Sequence, residues 1–106
     1  MFARTVSFHL KSGRAAEFTQ MINKDIIPML RKQKGFQDEI TLVTPGGADG
    51  IAISVWDLKE NADAYARSDY ARVLKALEAV VEGTPKVQLY EVSNSTFHKT
   101  PAHVSV

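Results

Sequence analysis

Six side chains of the sequence have the chemistry of a small-molecule pocket: Ser7, His9, Ser54, Trp56, Tyr65 and Tyr70. His9 follows Ser7 on one face of a predicted first strand, and it can meet Ser54 and Trp56 if the first and third strands are neighbours. A few polar groups on an otherwise apolar surface are typical of a ligand site. The same pattern also fits a simpler interpretation, in which His9 is a rim histidine bonded to backbone or water.

The three aromatic residues of this set leave the same choice open. Trp56 stands at the end of a predicted strand, where a tryptophan is also an ordinary packing anchor. Tyr65 and Tyr70 face the sheet on helical spacing, so each is either a core residue or a hydroxyl directed into a pocket.

Composition excludes several other kinds of site. The chain of 106 residues has no cysteine, which removes disulfides, thiolate nucleophiles and cysteine-ligated metals. Its three histidines include His98 and His103, but they have no flanking ligand geometry, so we expect no metal site. No nucleophile elbow or ordered catalytic triad is present. The predicted active groups are therefore neither a metal centre nor a Ser-His-Asp triad.

Charge and hydropathy exclude two classes of partner. The 13 basic residues are interleaved with 12 acidic ones, which gives no basic field for nucleic acid. No apolar run approaches the length of a membrane span, and the amino terminus lacks the apolar segment of a signal peptide. We therefore expect a cytoplasmic protein without a nucleic-acid or membrane partner.

The first third of the chain predicts a strand and then a helix. Residues 2–10 alternate with a period of two, and Arg4 is the one charged residue on their apolar face. We expect Arg4 to extend its charge towards water from the strand end. Apolar residues then recur at helical spacing over residues 18–29, and Lys34 with Gly35 ends this helix.

Pro28 lies inside that helical pattern. Because proline has no backbone N–H, it removes the hydrogen bond to the carbonyl of Lys24. We expect the helix to kink or restart there, and the change of direction brings Leu30 to the buried side.

The rest of the chain is predicted to form two paired strands, a second helix and a last strand. A glycine-rich turn over residues 45–50 makes the second and third strands antiparallel neighbours. In the second strand, Phe36, Ile40 and Leu42 are expected on one face. The predicted bounds are 36–44 and 51–55 for the strands, 58–81 for the helix, 86–97 for the last strand, and 98–106 for a loose tail.

The order β-α-β-β-α-β predicts an α+β protein with the ferredoxin-like split βαβ fold, as a single domain over residues 1–97. Its four-stranded antiparallel sheet has both helices on one face. Apolar residues nevertheless occur on both faces of the predicted strands. A second subunit is the simplest cover for the open face, so we expect a homodimer in which two sheets form a barrel.

With these residues in order, the chain resembles the antibiotic biosynthesis monooxygenase family of dimeric α+β barrels. The resemblance rests on three segments spanning residues 27–36, 51–56 and 65–70, and it covers residues 2–97. The family includes cofactor-free oxygenases that form quinones, haem-degrading oxygenases and members without an assigned reaction.

The haem-degrading branch is disfavoured by the residues present. Its members carry an asparagine on strand one, a tryptophan on helix two and a histidine beyond the Ser-Asp pair. This chain has Val6, Tyr65 and Lys75 near those places. A protonated lysine does not ligate iron.

The resemblance therefore implies a cofactor-independent monooxygenase that oxidises a small electron-rich aromatic compound, a phenol or an anthrone, to a quinone with dioxygen. It requires no cofactor and no metal. His9 and Trp56 are the candidate catalytic residues. The candidate substrate contacts are Ser7, Ser54, Tyr65 and Tyr70. Strand three lacks the pocket asparagine and arginine of the family's oxygenases, so a non-catalytic dimer that binds a small molecule, or serves as an interaction module, remains the alternative.

Overall fold

The computed structural model describes residues 1–97, which form a four-stranded antiparallel sheet with helices on one face. The elements in chain order are β1 (Phe2–Leu10), α1 (Ala15–Met21), a π-helical turn (Ile22–Ile26), α2 (Ile27–Arg31), β2 (Phe36–Val43), β3 (Asp49–Trp56), α3 (Lys59–Arg67), α4 (Tyr70–Leu77) and β4 (Val81–Glu91). The strand order is β2-β3-β1-β4. The predicted ferredoxin-like fold is confirmed, while the predicted tail lies outside the described residues.

Strand register divides the central residues between two faces. Arg4 of β1 lies opposite Ser54 of β3, and both face the helices. Because successive side chains alternate between faces, the intervening positions, such as the pair Ser7 and Ile51, lie on the face without helices. We call this second surface the open face.

A bulge near the start of β2 changes the predicted face of Phe36. Phe36 lies opposite Trp56, whereas Asp38 lies opposite Val55, so one extra residue is inserted between them. Phe36 therefore joins the helix side, where its ring meets that of Trp56 edge-on at 5.7 Å between centroids. The prediction that Phe36 shares a face with Ile40 and Leu42 is wrong for this reason.

The first helical region restarts at Pro28, as predicted. The missing N–H is accommodated by the π-helical turn, whose wider hydrogen bond joins the N–H of Ile27 to the carbonyl of Ile22. Pro28 then occupies the first turn of α2, where its lack of a donor costs nothing. Leu30 is buried, which confirms the expected change of direction.

The second helical region departs from its predicted bounds. It breaks at Ser68 into α3 and α4, and it ends at Leu77 rather than continuing to residue 81. Val81 is already the first residue of β4. The ladder between β1 and β4 is irregular beside Gly83, whose φ is +66°. Gly83 therefore forms a bulge inside the last strand instead of ending a helix.

The core lies between the sheet and the helical layer. Its largest fully buried side chains are Trp56, Phe18, Leu10 and Val80. Phe8 and Phe18 join the two layers, with ring centroids 4.7 Å apart. Within the described part of the chain, no helix is both long and apolar enough to cross a membrane.

Candidate functional site

A cavity of about 50 Å³ lies between the sheet and the helices. Most of its wall is apolar and comes from the sheet and the helical segments, with Phe8, Phe18, Ile22, Ile26, Leu30 and Val73 among the lining residues. Its polar lining consists of Arg4, Glu39, Ser54, Tyr65 and Tyr70. A mostly apolar cavity with a few convergent polar groups is the usual form of a small-molecule site.

Arg4 is the central charged group of this cavity. The residue is only 5 % exposed, and its guanidinium carbon lies 3.9 Å from the ring centroid of Tyr70 and 5.4 Å from that of Tyr65. These are cation–π contacts. Within residues 1–97, no carboxylate forms an ion pair with Arg4 and no hydrogen bond satisfies its guanidinium. The prediction that Arg4 reaches water is wrong, because the helices cover this end of β1.

Two tyrosines form the wall above Arg4. The hydroxyl of Tyr70 is buried and has no hydrogen-bond partner among the described residues. Burial raises the pKa of the Tyr65 hydroxyl to about 12 and the nearby Arg4 charge opposes this only partly, so Tyr65 is protonated at neutral pH. The cavity therefore offers a cation and phenolic O–H groups to a bound molecule.

Ser54 forms the floor of the cavity and is held by two contacts. It accepts a hydrogen bond from the indole N–H of Trp56 at 2.9 Å, and its hydroxyl lies 3.5 Å from the backbone oxygen of Arg4. Trp56 is fully buried, does not line the cavity, and stacks on Tyr65 with 5.2 Å between ring centroids. The structure thus places Trp56 behind Ser54 and Tyr65, as a support for both.

Glu39 completes a row of polar residues across the sheet. It lies opposite Ser54 on β2, and Ser54 lies opposite Arg4 on β1. Burial raises the pKa of the Glu39 carboxyl, and the hydrogen bond that it accepts from Thr41 opposes this effect. A carboxyl and a guanidinium therefore stand on either side of a serine hydroxyl along one side of the cavity.

Tyr65 and Tyr70 lie on either side of the break between α3 and α4, and both line the cavity. Asp69, at the start of α4, accepts a hydrogen bond of 2.7 Å from the side-chain amide of Gln33. Gln33 also donates to the backbone oxygen of Met29 at 3.3 Å. This link joins the start of α4 to the segment that follows α2.

His9 and Ser7 do not join this site. Their positions on β1 belong to the open face, whereas Ser54 and Trp56 face the helices. His9 Nδ1 lies 2.6 Å from Asp49, and its Nε2 lies 3.7 Å from Glu82. The hydrogen bond with Asp49 raises the pKa of His9 above its usual value. The expected grouping of His9 and Ser7 with Trp56 is therefore wrong, because the register places alternate residues of β1 on opposite faces.

The structure brings together Ser54, Tyr65 and Tyr70, three of the six predicted residues, and adds Arg4 and Glu39. The sequence signal for Arg4 was its position on the apolar side of β1, but an arginine at a strand end that extends its charge to water fits the same pattern. Glu39 gave no usable signal, because the bulge in β2 conceals which face it occupies. Among residues 1–97 no cluster of metal-ligating side chains is found, and His98 and His103 lie outside that range.

Similarity to known proteins is detected at the level of structure. No protein-family model matches the chain, and no curated protein matches it by sequence. A candidate antibiotic biosynthesis monooxygenase from Bordetella bronchiseptica superposes with a TM-score of 0.73 at 15% identity, over 86% of this chain and 95% of its own. SnoaB, a cofactor-independent oxygenase from Streptomyces nogalater, superposes in mutant form with a TM-score of 0.72 at 20% identity, over 90% and 95% of the two chains.

A third similar structure holds a different kind of ligand. A mutant of MhuD with two manganese protoporphyrin IX molecules per active site superposes with a TM-score of 0.73 at 15% identity, over 91% of this chain and 98% of its own. One fold thus accommodates both an oxygenase without a cofactor and a porphyrin-binding site, and function has to be argued from the residues of the cavity. The chain has the ferredoxin-like α+β fold of the antibiotic biosynthesis monooxygenases.

Proposed function

We propose that the protein is a cofactor-independent monooxygenase that oxidises a small, weakly acidic aromatic compound with dioxygen. The observation that carries this proposal is the buried guanidinium of Arg4, which has no carboxylate partner in the described chain and faces an apolar cavity. A buried charge is costly unless it is paired. An anionic ligand would supply the missing partner.

The cavity chemistry favours a delocalised organic anion over a compact inorganic one. Its wall is mainly aliphatic and aromatic, which suits a ring system. The hydroxyl of Tyr70, without a partner, provides a donor for a ligand oxygen beside the Arg4 charge. A phenolate or the enolate of an anthrone has both an aromatic body and a charged oxygen, and such anions are electron-rich enough to reduce dioxygen.

Binding of a ring requires the cavity to expand. A volume of about 50 Å³ accommodates little more than a water molecule. Ile22 and Ile26, which line the cavity, both belong to the π-helical turn. Such a turn replaces the regular helical hydrogen bonds with wider ones. We infer that ligands enter by outward movement of this turn.

The cavity residues favour an organic anion over haem. His9 is the only histidine within residues 1–97, and it lies on the open face, away from the cavity. No neutral histidine ligand therefore reaches the cavity from the described chain. The competing proposal is a protein that binds an aromatic anion without oxidising it, and Arg4 would serve both functions.

Oxygen consumption by metal-free protein separates these two functions. With anthrone as the substrate, we expect one dioxygen to be consumed for each new carbonyl group and each water formed. Arg4→Met should lower the rate at least tenfold, because the anion loses its charged partner. Arg31→Met is the matched control, since Arg31 lies on α2 with its side chain exposed, and its rate should equal that of the wild type.

Two results would decide against oxidation. If anthrone and a panel of electron-rich phenols consume no oxygen but bind to the wild type and not to Arg4→Met, the protein is a binding protein. If Arg4→Met and the wild type bind every compound equally, the cavity is not the functional site.

A further inference from the structure

The polar row Glu39–Ser54–Arg4 places an acid-base group at one end of the cavity and a fixed cation at the other. Each residue lies directly opposite the next on neighbouring strands. Two strand spacings separate Glu39 from Arg4, or roughly 10 Å between their Cα atoms. The two side chains form no ion pair with each other, so neither charge is neutralised by the other.

We propose that Glu39 is the catalytic base of the oxidation, and that the substrate lies along this row with its acidic carbon or hydroxyl at Glu39 and its conjugated oxygen at Arg4. This inference rests on the proposed function and names a residue and a substrate orientation for it. Compounds with a carbonyl group across a ring from an acidic CH₂ group, such as anthrones, match this arrangement of base and cation.

The titratable groups of the cavity leave Glu39 as the proton acceptor. Within residues 1–97 they are Arg4, Glu39, Tyr65 and Tyr70. An arginine side chain offers only hydrogen-bond donors, and the pKa of Tyr65 is about 12, so Tyr65 is protonated at neutral pH. Tyr70 presents a hydroxyl beside the Arg4 cation, where it serves as a donor to an oxygen anion. Burial raises the pKa of Glu39, which makes its carboxylate a stronger base than it would be in water.

The proposed steps balance with dioxygen as the only oxidant. Glu39 removes one proton from the CH₂ carbon, and the electron pair of that C–H bond delocalises onto the carbonyl oxygen beside Arg4. The resulting carbanion transfers one electron to dioxygen, the two radicals combine, and Glu39 returns its proton to give a hydroperoxide. Glu39 then removes the second proton, the O–O bond breaks as the new C=O bond forms, and the released hydroxide takes that proton to become water.

Hydrogen exchange of anthrone under argon tests this base without any oxidation. In D₂O, the wild-type protein should accelerate exchange of the CH₂ protons, followed by NMR. Glu39→Gln should lower this acceleration at least 100-fold, within the usual contribution of a general base. Asp38→Asn, which removes a carboxylate from the opposite face of the same strand, should exchange like the wild type.

Binding of anthraquinone, which has no CH₂ group, provides the control for a folded cavity. Glu39→Gln should bind anthraquinone within about threefold of the wild type. If Glu39→Gln accelerates exchange as well as the wild type does, Glu39 is not the base, even where the protein consumes oxygen. The proposed oxidation itself fails if anthraquinone binds but neither the wild type nor any variant accelerates exchange or consumes oxygen.

Discussion

Arg4 illustrates how a largely buried charge is stabilised without a counter-ion among the described residues. Two tyrosine rings offer their negative faces to the guanidinium. Cation–π contacts contribute about 0.5–2 kcal/mol, which only partly offsets the cost of burial. We therefore expect an anion bound in the cavity to supply the partner that Arg4 lacks among the described residues.

The hydroxyl of Tyr70 leads to a prediction for stability. Since this buried group has no partner in the described chain, Tyr70→Phe should raise the free energy of unfolding by about 1 kcal/mol. The same variant should bind an anionic ligand about tenfold more weakly, because one donor is lost. Urea unfolding followed by Trp56 fluorescence measures the first effect, and ligand titration measures the second.

Ser12→Ala is the control for this experiment. It also removes one hydroxyl, but Ser12 is exposed in the loop between β1 and α1, away from both the cavity and the open face. The variant should change the unfolding free energy by less than about 0.5 kcal/mol. A loss of stability in Tyr70→Phe would show that its hydroxyl has a partner in solution.

For individual residues, the sequence predicted some of the cavity-lining side chains correctly but did not predict which residues of neighbouring strands share a face. Ser54, Tyr65 and Tyr70 were placed in one pocket because strand and helix periodicity are strong signals. His9 was misplaced because its role depends on the register between β1 and β3, and a shift of one residue exchanges the two faces of a strand. Periodicity within one strand does not contain that information.

The ends of helices and strands were predicted well where local chemistry determines them. They were predicted poorly where tertiary contacts determine them. Pro28 fixed the restart of the first helical region, since a missing N–H has a local consequence. The break at Ser68 has no such signal, and the hydrogen bond beside it joins Gln33 and Asp69, which are 36 positions apart in the sequence. Val81 fits the helical stripe equally well, but pairing with Leu10 makes it a strand residue.

Gly35, between α2 and β2, allows a prediction for the loop that joins the layers. Its φ is +81°, and an added Cβ would lie 2.8 Å from the Cβ of Asn61 and even closer to Asp57. Gly35→Ala should therefore cost about 2–4 kcal/mol of unfolding free energy, the sum of left-handed strain and overpacking. Gly46→Ala is the control, since Gly46 has a φ of +65° and no atom within 4 Å of the added carbon.

The control should lose only about 1 kcal/mol, from backbone strain alone. Equal losses in the two alanine variants, measured by urea unfolding, would show that the loop can move away from Asp57 and Asn61. In that case the close approach of the loop to α3 does not stabilise the fold.

For the whole molecule, the open face of the sheet is the feature that the isolated chain does not explain. Large apolar residues remain about half exposed on it: Ile40, Leu42 and Tyr90. Ile51 and Ile53 of β3 lie beside them, opposite Leu42 and Ile40. Contiguous apolar patches of several hundred Å² are rare on monomers, so this surface favours association.

We therefore predict that two copies of the chain associate through their open faces to form a homodimer. Light scattering coupled to gel filtration at micromolar concentration should give twice the mass of the chain. The double variant Ile40→Glu with Leu42→Glu should give the mass of a monomer, because it places two carboxylates in the apolar interface. Leu58→Glu is the control and should remain dimeric, since Leu58 is 53% exposed but precedes α3, away from the strands of the open face.

The double variant tests which face forms the interface, in addition to whether the protein is a dimer. A two-fold axis brings the same residues of both copies together, so each glutamate substitution acts twice in one interface. A wild-type chain that is monomeric would contradict dimerisation. A dimer that persists in the double variant would place the interface elsewhere, and the apolar open face would then need another cover. Anthraquinone binding measured on the monomeric variant separates assembly from function, since the cavity lined by Arg4 and Tyr70 lies on the opposite side of the sheet and should remain intact.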